Sequence, residues 1–225
     1  MTLYKVADAN DQSGDGIEWG ENVTHAATGT GKELFTDGWI HAHEHPLLAA
    51  LLIPAIYVDP RNILLWEAEG EIGLRDGQLK CGCRSLTTIR RIEMPEVAAS
   101  ARVRFAVMCA MAVDRDPSFV GWAYGWLNGT DRSHEKAVAA GMAASVRAVQ
   151  HRSKEARGAA KAAWCATCAA CAACQQIEIT VMRRVAEAAY VAVRAAALPD
   201  SVDLLVLAQR AIAEESTMPV QRLGS

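Results

Sequence analysis

The sequence predicts an α+β protein. A small, mostly antiparallel sheet domain with one helix covers residues 1–93, an alanine-rich helical domain covers 94–217, and 218–225 form a frayed tail. Three observations carry this. Short apolar–polar alternations bounded by Gly, Asp, Asn and Pro recur as far as Ile92. After Met94-Pro95 the apolar period lengthens to three and four. From 130 to 197 alanine dominates, in AVAAGMAASVRAV, ARGAAKAAWCATCAACAAC and RRVAEAAYVAVRAAA. Alanine is the best helix former because it loses no side-chain entropy.

Taken in order, residues 3–7 alternate Leu and Val with Tyr and Lys and predict a first strand. Residues 10–16 form a turn-rich connection, and 17–22 a second, short strand. HAATGTGK at 25–32 is a small-residue loop; it lacks the glycine spacing of a phosphate-binding loop. Residues 34–42 are expected to be extended. Pro46 then opens a short helix over 46–53, where its missing N–H costs nothing in the first turn. Strands are expected at 55–58 and 63–72. Arg75-Asp76-Gly77 supplies a hairpin turn into strands at 79–83 and 86–92.

The helical half is expected to begin at 96–113, with Val103, Val107 and Ala110 or Met111 on one face. Asp116-Pro117 caps a tryptophan-bearing helix that Asn128-Gly129 closes. Thr130 or Asp131 starts the alanine-rich array, in which Gly158 is a weak point. Val138, Met142, Val146 and Val149 draw one apolar stripe, and Val181 or Met182, Val185, Ala189 and Val193 a second. Small side chains let helix axes approach toward the lower end of ~8–10 Å, leaving little room for a cofactor. After Leu198-Pro199, Asp200 or Ser201 caps a last helix to about Glu215.

Apolar residues make up 51% of the 225 and charged ones 22%, an ordinary globular balance that argues against disorder. No apolar run reaches the ~18 residues of a membrane span, and the first residues lack a leader pattern. With seven cysteines, an odd number, thiols in a cytoplasmic protein are expected rather than a disulfide framework. The net charge of −3 hides a segregation: residues 1–50 carry eight acids against Lys5 and Lys32, while 84–104 carry five arginines against Glu93 and Glu96. Asp8, Asp11, Asp15 and Glu18 are the candidate partner-binding residues, since an acidic face steers a basic partner.

Five sets of residues bear on chemistry. Cys165, Cys168, Cys171 and Cys174 stand three apart. Thiolates at such spacing ligate zinc or clusters from loops, but a helix rotates each step by ~300° and spreads them, so packing is the plainer reading. His41, His43 and His45 alternate and on a strand share one face; they are the candidate metal ligands, although His45 also suits the start of a helix. Glu67, Glu69 and Glu71 share a strand face, where an exposed sheet surface is the plainer reading. Trp122 and Trp126, four apart, read as core anchors. Arg147, His151, Arg152, Lys154, Arg157 and Lys161 make a basic face, but with a pI near 6.1 direct nucleic-acid binding is not expected. No cofactor is expected.

The segment FAVMCAMAVDRDPSFVGWAYGWLNGTDRSHEKAVAAGMAASVRAV resembles the alanine-rich immunity proteins of bacteria, through Cys109, Ala110, Trp122, Trp126, Gly129, Arg132, Ser133 and the alanines after Ala137. The N-terminal LYKV, GWIHAHEHPL and LLWEAEGEI resemble a small domain of phage and prophage proteins, and the order of elements is similar to an abbreviated ADP-ribosyltransferase fold. These resemblances imply a mobile-element protein of the conflict type: an immunity protein, or an inhibitor of host defence such as an anti-CRISPR. Its partner is then a host or toxin protein, including a nucleic-acid-binding effector complex, with no membrane involved. The enzymatic alternative is ADP-ribosyl transfer, with Tyr4, His41 and Glu67 or Glu69 as the residues to watch. A third alternative is a structural phage component.

Overall fold

A hairpin of two long strands frames the N-terminal half in the computed structural model, which describes residues 1–13, 16–53, 62–196 and 202–217. Strands β4 (Leu64–Asp76) and β5 (Lys80–Ile92) pair antiparallel through a turn closed by Leu79 N–H to the Asp76 carbonyl at 3.0 Å. Gly77 sits in this turn at φ 54°, a left-handed conformation that favours glycine. Strand β1 (Thr2–Ala7) adds to the outer side of β4. On the far side of β5, β2 (Val23–Ala26) pairs with Ser85–Thr88 and β3 (Ile40–Ala42) with Cys81–Cys83. Just past β3, His43 and Tyr4 exchange both backbone hydrogen bonds, at 2.8 and 2.9 Å, so the sheet curls back on β1.

The period of two decides what this curl encloses. Leu3, Ala7, Trp66, Ala68, Cys81, Cys83 and Leu86 face inward with Ile40, Ala42 and Trp19. The short helix α1 (Pro46–Leu51) buries Leu47 to Leu51. His45 caps it, its Nδ1 accepting from Leu47 N–H at 3.1 Å, and Pro46 occupies the first turn.

Several local expectations are corrected. The second strand lies at Val23–Ala26, not 17–22. Residues 11–13 and 16–19 instead pair with each other, Trp19 N–H reaching the Asp11 carbonyl and Ser13 N–H that of Ile17, and Asn22 turns at φ 57°. Of the stretch 34–42 only Ile40–Ala42 is strand, because Thr36 and Trp39 close a turn on Glu33 and Thr36. The two strands expected at 79–83 and 86–92 are one, with shifts of register absorbing the exposed Arg84 and Ser85. The strand expected at 55–58 lies outside the described residues.

In the C-terminal unit, α2 (Ala99–Val113) is buried at every position from Ala101 to Ala110, not along one face as its spacing suggests. It packs against α3 (Pro117–Leu127), α5 (Lys154–Cys174), α6 (Glu178–Ala195) and α7 (Leu204–Ser216). Helix α4 (His134–Gln150) lies on α5 and α3. The alanine-rich array is thus three helices. Ser133, not Thr130 or Asp131, caps α4, and Ser153 caps α5 by accepting from Ala156 N–H at 3.1 Å. Gln176, at φ 56°, turns the chain into α6. Gly158 is no weak point: it sits inside α5, where a Cβ would stand 2.8 Å from that of Ala195 on α6.

The two compact units divide at Met1–Glu96 and Val97–Ser225. The architecture is α+β: among the described residues, an antiparallel five-strand sheet with a short helix, then six helices. No described helix is long and apolar enough to cross a membrane.

Candidate functional site: the outer face of α4

Helices α3 and α4 are placed by local capping. Asp116 accepts from the N–H groups of Ser118 and Phe119, with Pro117 in the first turn, and Gly129 ends α3 at φ 74°. Asp131 holds the Ser133 hydroxyl at 2.6 Å, and that hydroxyl accepts from Lys136 N–H at 3.4 Å. At the other end Arg147 reaches Asp114 at 2.9 Å and Asp116 at 3.2 Å, tying α4 to the α2–α3 junction.

Ala137, Gly141 and Ala144 form the buried face of α4. A Cβ on Gly141 would fall 2.7 Å from Thr167 Oγ1, so the glycine lets α5 come close. The apolar stripe of Val138, Met142, Val146 and Val149 faces water, with exposures of 38, 66, 52 and 84%. Close approach of small residues displaced the larger ones outward. Between Ala137 and Gln150 the single charged residue is Arg147, which is engaged by Asp114 and Asp116. The outer face of this helix therefore carries no unengaged charge over about three turns.

Beside the stripe runs a groove of about 400 Å³ between α3 and α4, lined mainly by Gly121, Trp122, Gly125, Ala139, Ala140 and Ala143, with Ser118, Asp131 and Lys136 as its polar members. A Cβ at Gly121 would meet nothing within 4 Å, and one at Gly125 only Thr130 Oγ1 at 3.6 Å. Each glycine inside a helix costs about 1 kcal/mol relative to alanine, and packing within the described chain requires neither. Trp122 Nε1 is buried there without a hydrogen-bond partner, while Trp122 packs on Phe119 with ring centroids 5.7 Å apart. Trp126 is the core anchor of the pair, 3% exposed and covered by the Arg132 guanidinium at 4.4 Å.

The residues singled out from sequence fall as follows. His41 is turned to the Leu34 carbonyl, His43 is buried behind the Tyr4 bridge, and His45 is spent as the α1 cap. The shared strand face ends at Ala42, so the three imidazoles do not converge. Burial, then the charges of Lys80 and Lys5, hold His43 well below its ordinary range, at about 3; a hydrogen bond with the Leu79 backbone opposes this. Tyr4 and Glu67 are direct cross-strand partners, Glu67 is paired with Arg90, and Glu69 is exposed opposite Thr2. Among the described residues no group of three or more His, Cys, Asp or Glu is placed to hold a metal ion.

The four cysteines all lie on α5, Cys165 fully buried and the others half-buried. Burial pushes their thiols up, to about 12 for Cys165 and about 11 for Cys171. They pack as small apolar side chains. Of the acids, Asp8 accepts from the N–H groups of Asn10 and Gln12 in a turn, and Glu18 is exposed. Asp11 is internal to the unit: it pairs with Arg91 at 2.7 Å and accepts from Trp66 Nε1 at 3.0 Å. Asp15 lies outside the described residues. The basic face is partly consumed, Arg147 by the aspartates and Lys161 by Glu187 at 3.7 Å.

No family model, characterised protein or solved structure matches the chain.

The sequence shows the stripe without saying which way it faces. The signal that would have decided this was the second, alanine–glycine face of α4, which is the one able to lie flush on another alanine helix. Gly121 and Gly125 were passed over, although two glycines four apart inside a helix are a cost without an evident return.

Proposed function

We propose that this protein acts without catalysis, by binding another protein and blocking its surface, in the manner of an immunity or anti-defence protein of a mobile element. The contact face in this reading is the outer side of α4 with the α3–α4 groove. The observation that carries it is the exposed run of Val138, Met142, Val146 and Val149, along a stretch of helix in which Arg147, engaged by Asp114 and Asp116, is the single charge between Ala137 and Gln150. Scattered exposed apolar residues are ordinary, but a contiguous row beside an apolar groove marks an interaction surface. Covering a fully exposed side chain of this kind gains about 1.5–3 kcal/mol, so partial burial of all four supplies several kcal/mol toward association. The groove suits a partner helix or loop that approaches closely over Gly121 and Gly125.

The acids Asp8 and Glu18 take the steering role in this reading, raising the rate of encounter with a basic partner. Asp11 is left out of it because Arg91 neutralises it. The test is affinity capture from a bacterial lysate with the tagged full chain, set beside Met142→Glu and Val146→Lys. Both positions are more than half exposed, so the variants keep the parent's circular dichroism and melting. Capture of one partner by the parent, lost in both variants, is the expected result. A partner held equally by all three would place recognition elsewhere, and capture of nothing would remove the basis for the reading.

A further inference from the structure

The N-terminal unit contains a feature that the protein-binding reading leaves unused. A cleft of about 790 Å³ is bordered by β1, β3 and the stretches around residues 26–28 and 35–39. That size falls within the ~300–1,000 Å³ of pockets that enclose a small molecule. Ile17, Phe35, Trp39, Ile40 and Ile53 give it apolar walls. Its charged lining is Lys5 and Lys80, with Asp37 the single carboxylate among the described lining residues, and His41 and His43 add two imidazoles. This runs against the background, because residues 1–96 hold fifteen acids against eight lysines and arginines.

Two polar atoms on this lining have no hydrogen-bond partner although they are buried: Trp39 Nε1 and His43 Nδ1. His43 is only 4% exposed. A buried polar atom left unpaired has given up its water without compensation, and a ligand that pairs it recovers that loss. The ammonium of Lys5 is likewise withdrawn from water, donating to the His41 carbonyl at 3.2 Å and lying 5.0 Å from the Trp19 ring centroid. Lys80 is pushed down from its ordinary value by burial. A cleft that collects ammonium groups, an indole N–H and an imidazole nitrogen without a partner, walled by isoleucine and aromatic rings, matches one ligand chemistry.

We propose that this cleft binds a small organic anion, a carboxylate or phosphate carried on an apolar ring. The indole N–H of Trp39 donates to the anionic oxygen, Lys80 supplies charge beside it, and His43 Nδ1 pairs with a second polar atom. The ring lies against Phe35 and the isoleucines. The same anion offsets the mutual repulsion of Lys5 and Lys80.

The experiment uses the full chain with ¹⁵N-labelled tryptophan, the Trp39 indole resonance being assigned by its loss in Trp39→Phe. Benzoate, adenosine monophosphate and inorganic phosphate are titrated separately to roughly 10 mM, beyond a millimolar Kd. Saturable movement of the Trp39 resonance with benzoate or with the nucleotide is expected, and which of them saturates tells a carboxylate from a phosphate ligand. Lys80→Gln should weaken that binding at least about tenfold, while Lys80→Arg, which keeps the charge, retains it and excludes misfolding as the cause. The proposal is overturned if neither organic anion moves the resonance, if inorganic phosphate does so as well as they do, or if Lys80→Gln binds like the parent.

Discussion

Replacing Glu215 with glutamine should loosen the last helix from the rest of its unit. Glu215 ends α7 and meets two guanidinium groups, Arg132 at 2.9 Å and Arg104 at 3.1 Å. Arg104 is 1% exposed and also donates to the Leu127 carbonyl at 2.8 Å. Burial of Glu215 works against its charge, but hydrogen bonds from Arg132, Ser100 and Arg104 and the charge of Arg132 outweigh it and hold the carboxyl at about 2, against an ordinary 4.5. At 1.36 kcal/mol per pKa unit that difference corresponds to about 3 kcal/mol; solvent at the rim screens it to about 2 kcal/mol. The sign follows from a folded value below the unfolded one. The contribution is complete above pH 4.5 and is lost as pH falls toward 2. Glu215→Gln should therefore lower the melting midpoint at pH 7 by about 4–8 °C, taking 2–4 °C per kcal/mol for a chain of this size. Melting followed by circular dichroism at pH 7 and near pH 2 gives both numbers. A variant that melts with the parent at pH 7, or a gap that persists unchanged near pH 2, would refute the role given to this carboxylate.

Further expectations follow from the same contacts. Gly158→Ala should destabilise by roughly 1–3 kcal/mol, because the added methyl meets Ala195 at 2.8 Å. Gly121→Ala, facing open space, should stabilise by about 0.5–1 kcal/mol; urea unfolding of both distinguishes packing from propensity. His43, held neutral by burial and by Lys80 and Lys5, contributes stability that is complete above pH 6.5 and declines toward pH 3. The decline is at most about 1.4 kcal/mol per pH unit, and unfolding of the parent and His43→Gln at pH 7.5 and 5 should show it in the parent alone. Asp11→Lys should cost about 1–2 kcal/mol through loss of the Arg91 and Trp66 contacts, whereas Glu18→Lys, at an exposed site, should leave melting unchanged.

The α+β architecture was legible because strand alternation and alanine content are local signals. So were the caps at Asp116 and His45–Pro46, where the capping chemistry sits in adjacent residues. The orientation of α4 was not, because periodicity shows that two faces differ without saying which is buried. There the neighbour decided: α5 offers alanines and Thr167, and only the Ala137–Gly141–Ala144 face fits flush against them. The acidic N-terminal stretch misled in a similar way. Asp11 and Arg91 stand 80 residues apart in the chain yet form an ion pair, so a segregation of charge along the sequence is partly cancelled in space. The orphaned atoms of Trp39, His43 and Trp122 leave no trace in a sequence, since they depend on what fails to reach them.

The long reach of the β1 pairing governs the order in which the chain can assemble. Tyr4 pairs with Glu67, and β2 and β3 find their partners only on β5, which ends at Ile92. During synthesis the first three strands must therefore wait, with Leu3, Ala7, Ile40 and Ala42 uncovered, until β4 and β5 have both left the ribosome. Helices α4 and α5 instead pack on their immediate successors, α5 and α6, and close over short loops. Distant pairings are entropically slow and neighbouring ones fast. The interval before β5 appears is when the open strand edges of β1, β2 and β3 are exposed to aggregation or to a chaperone.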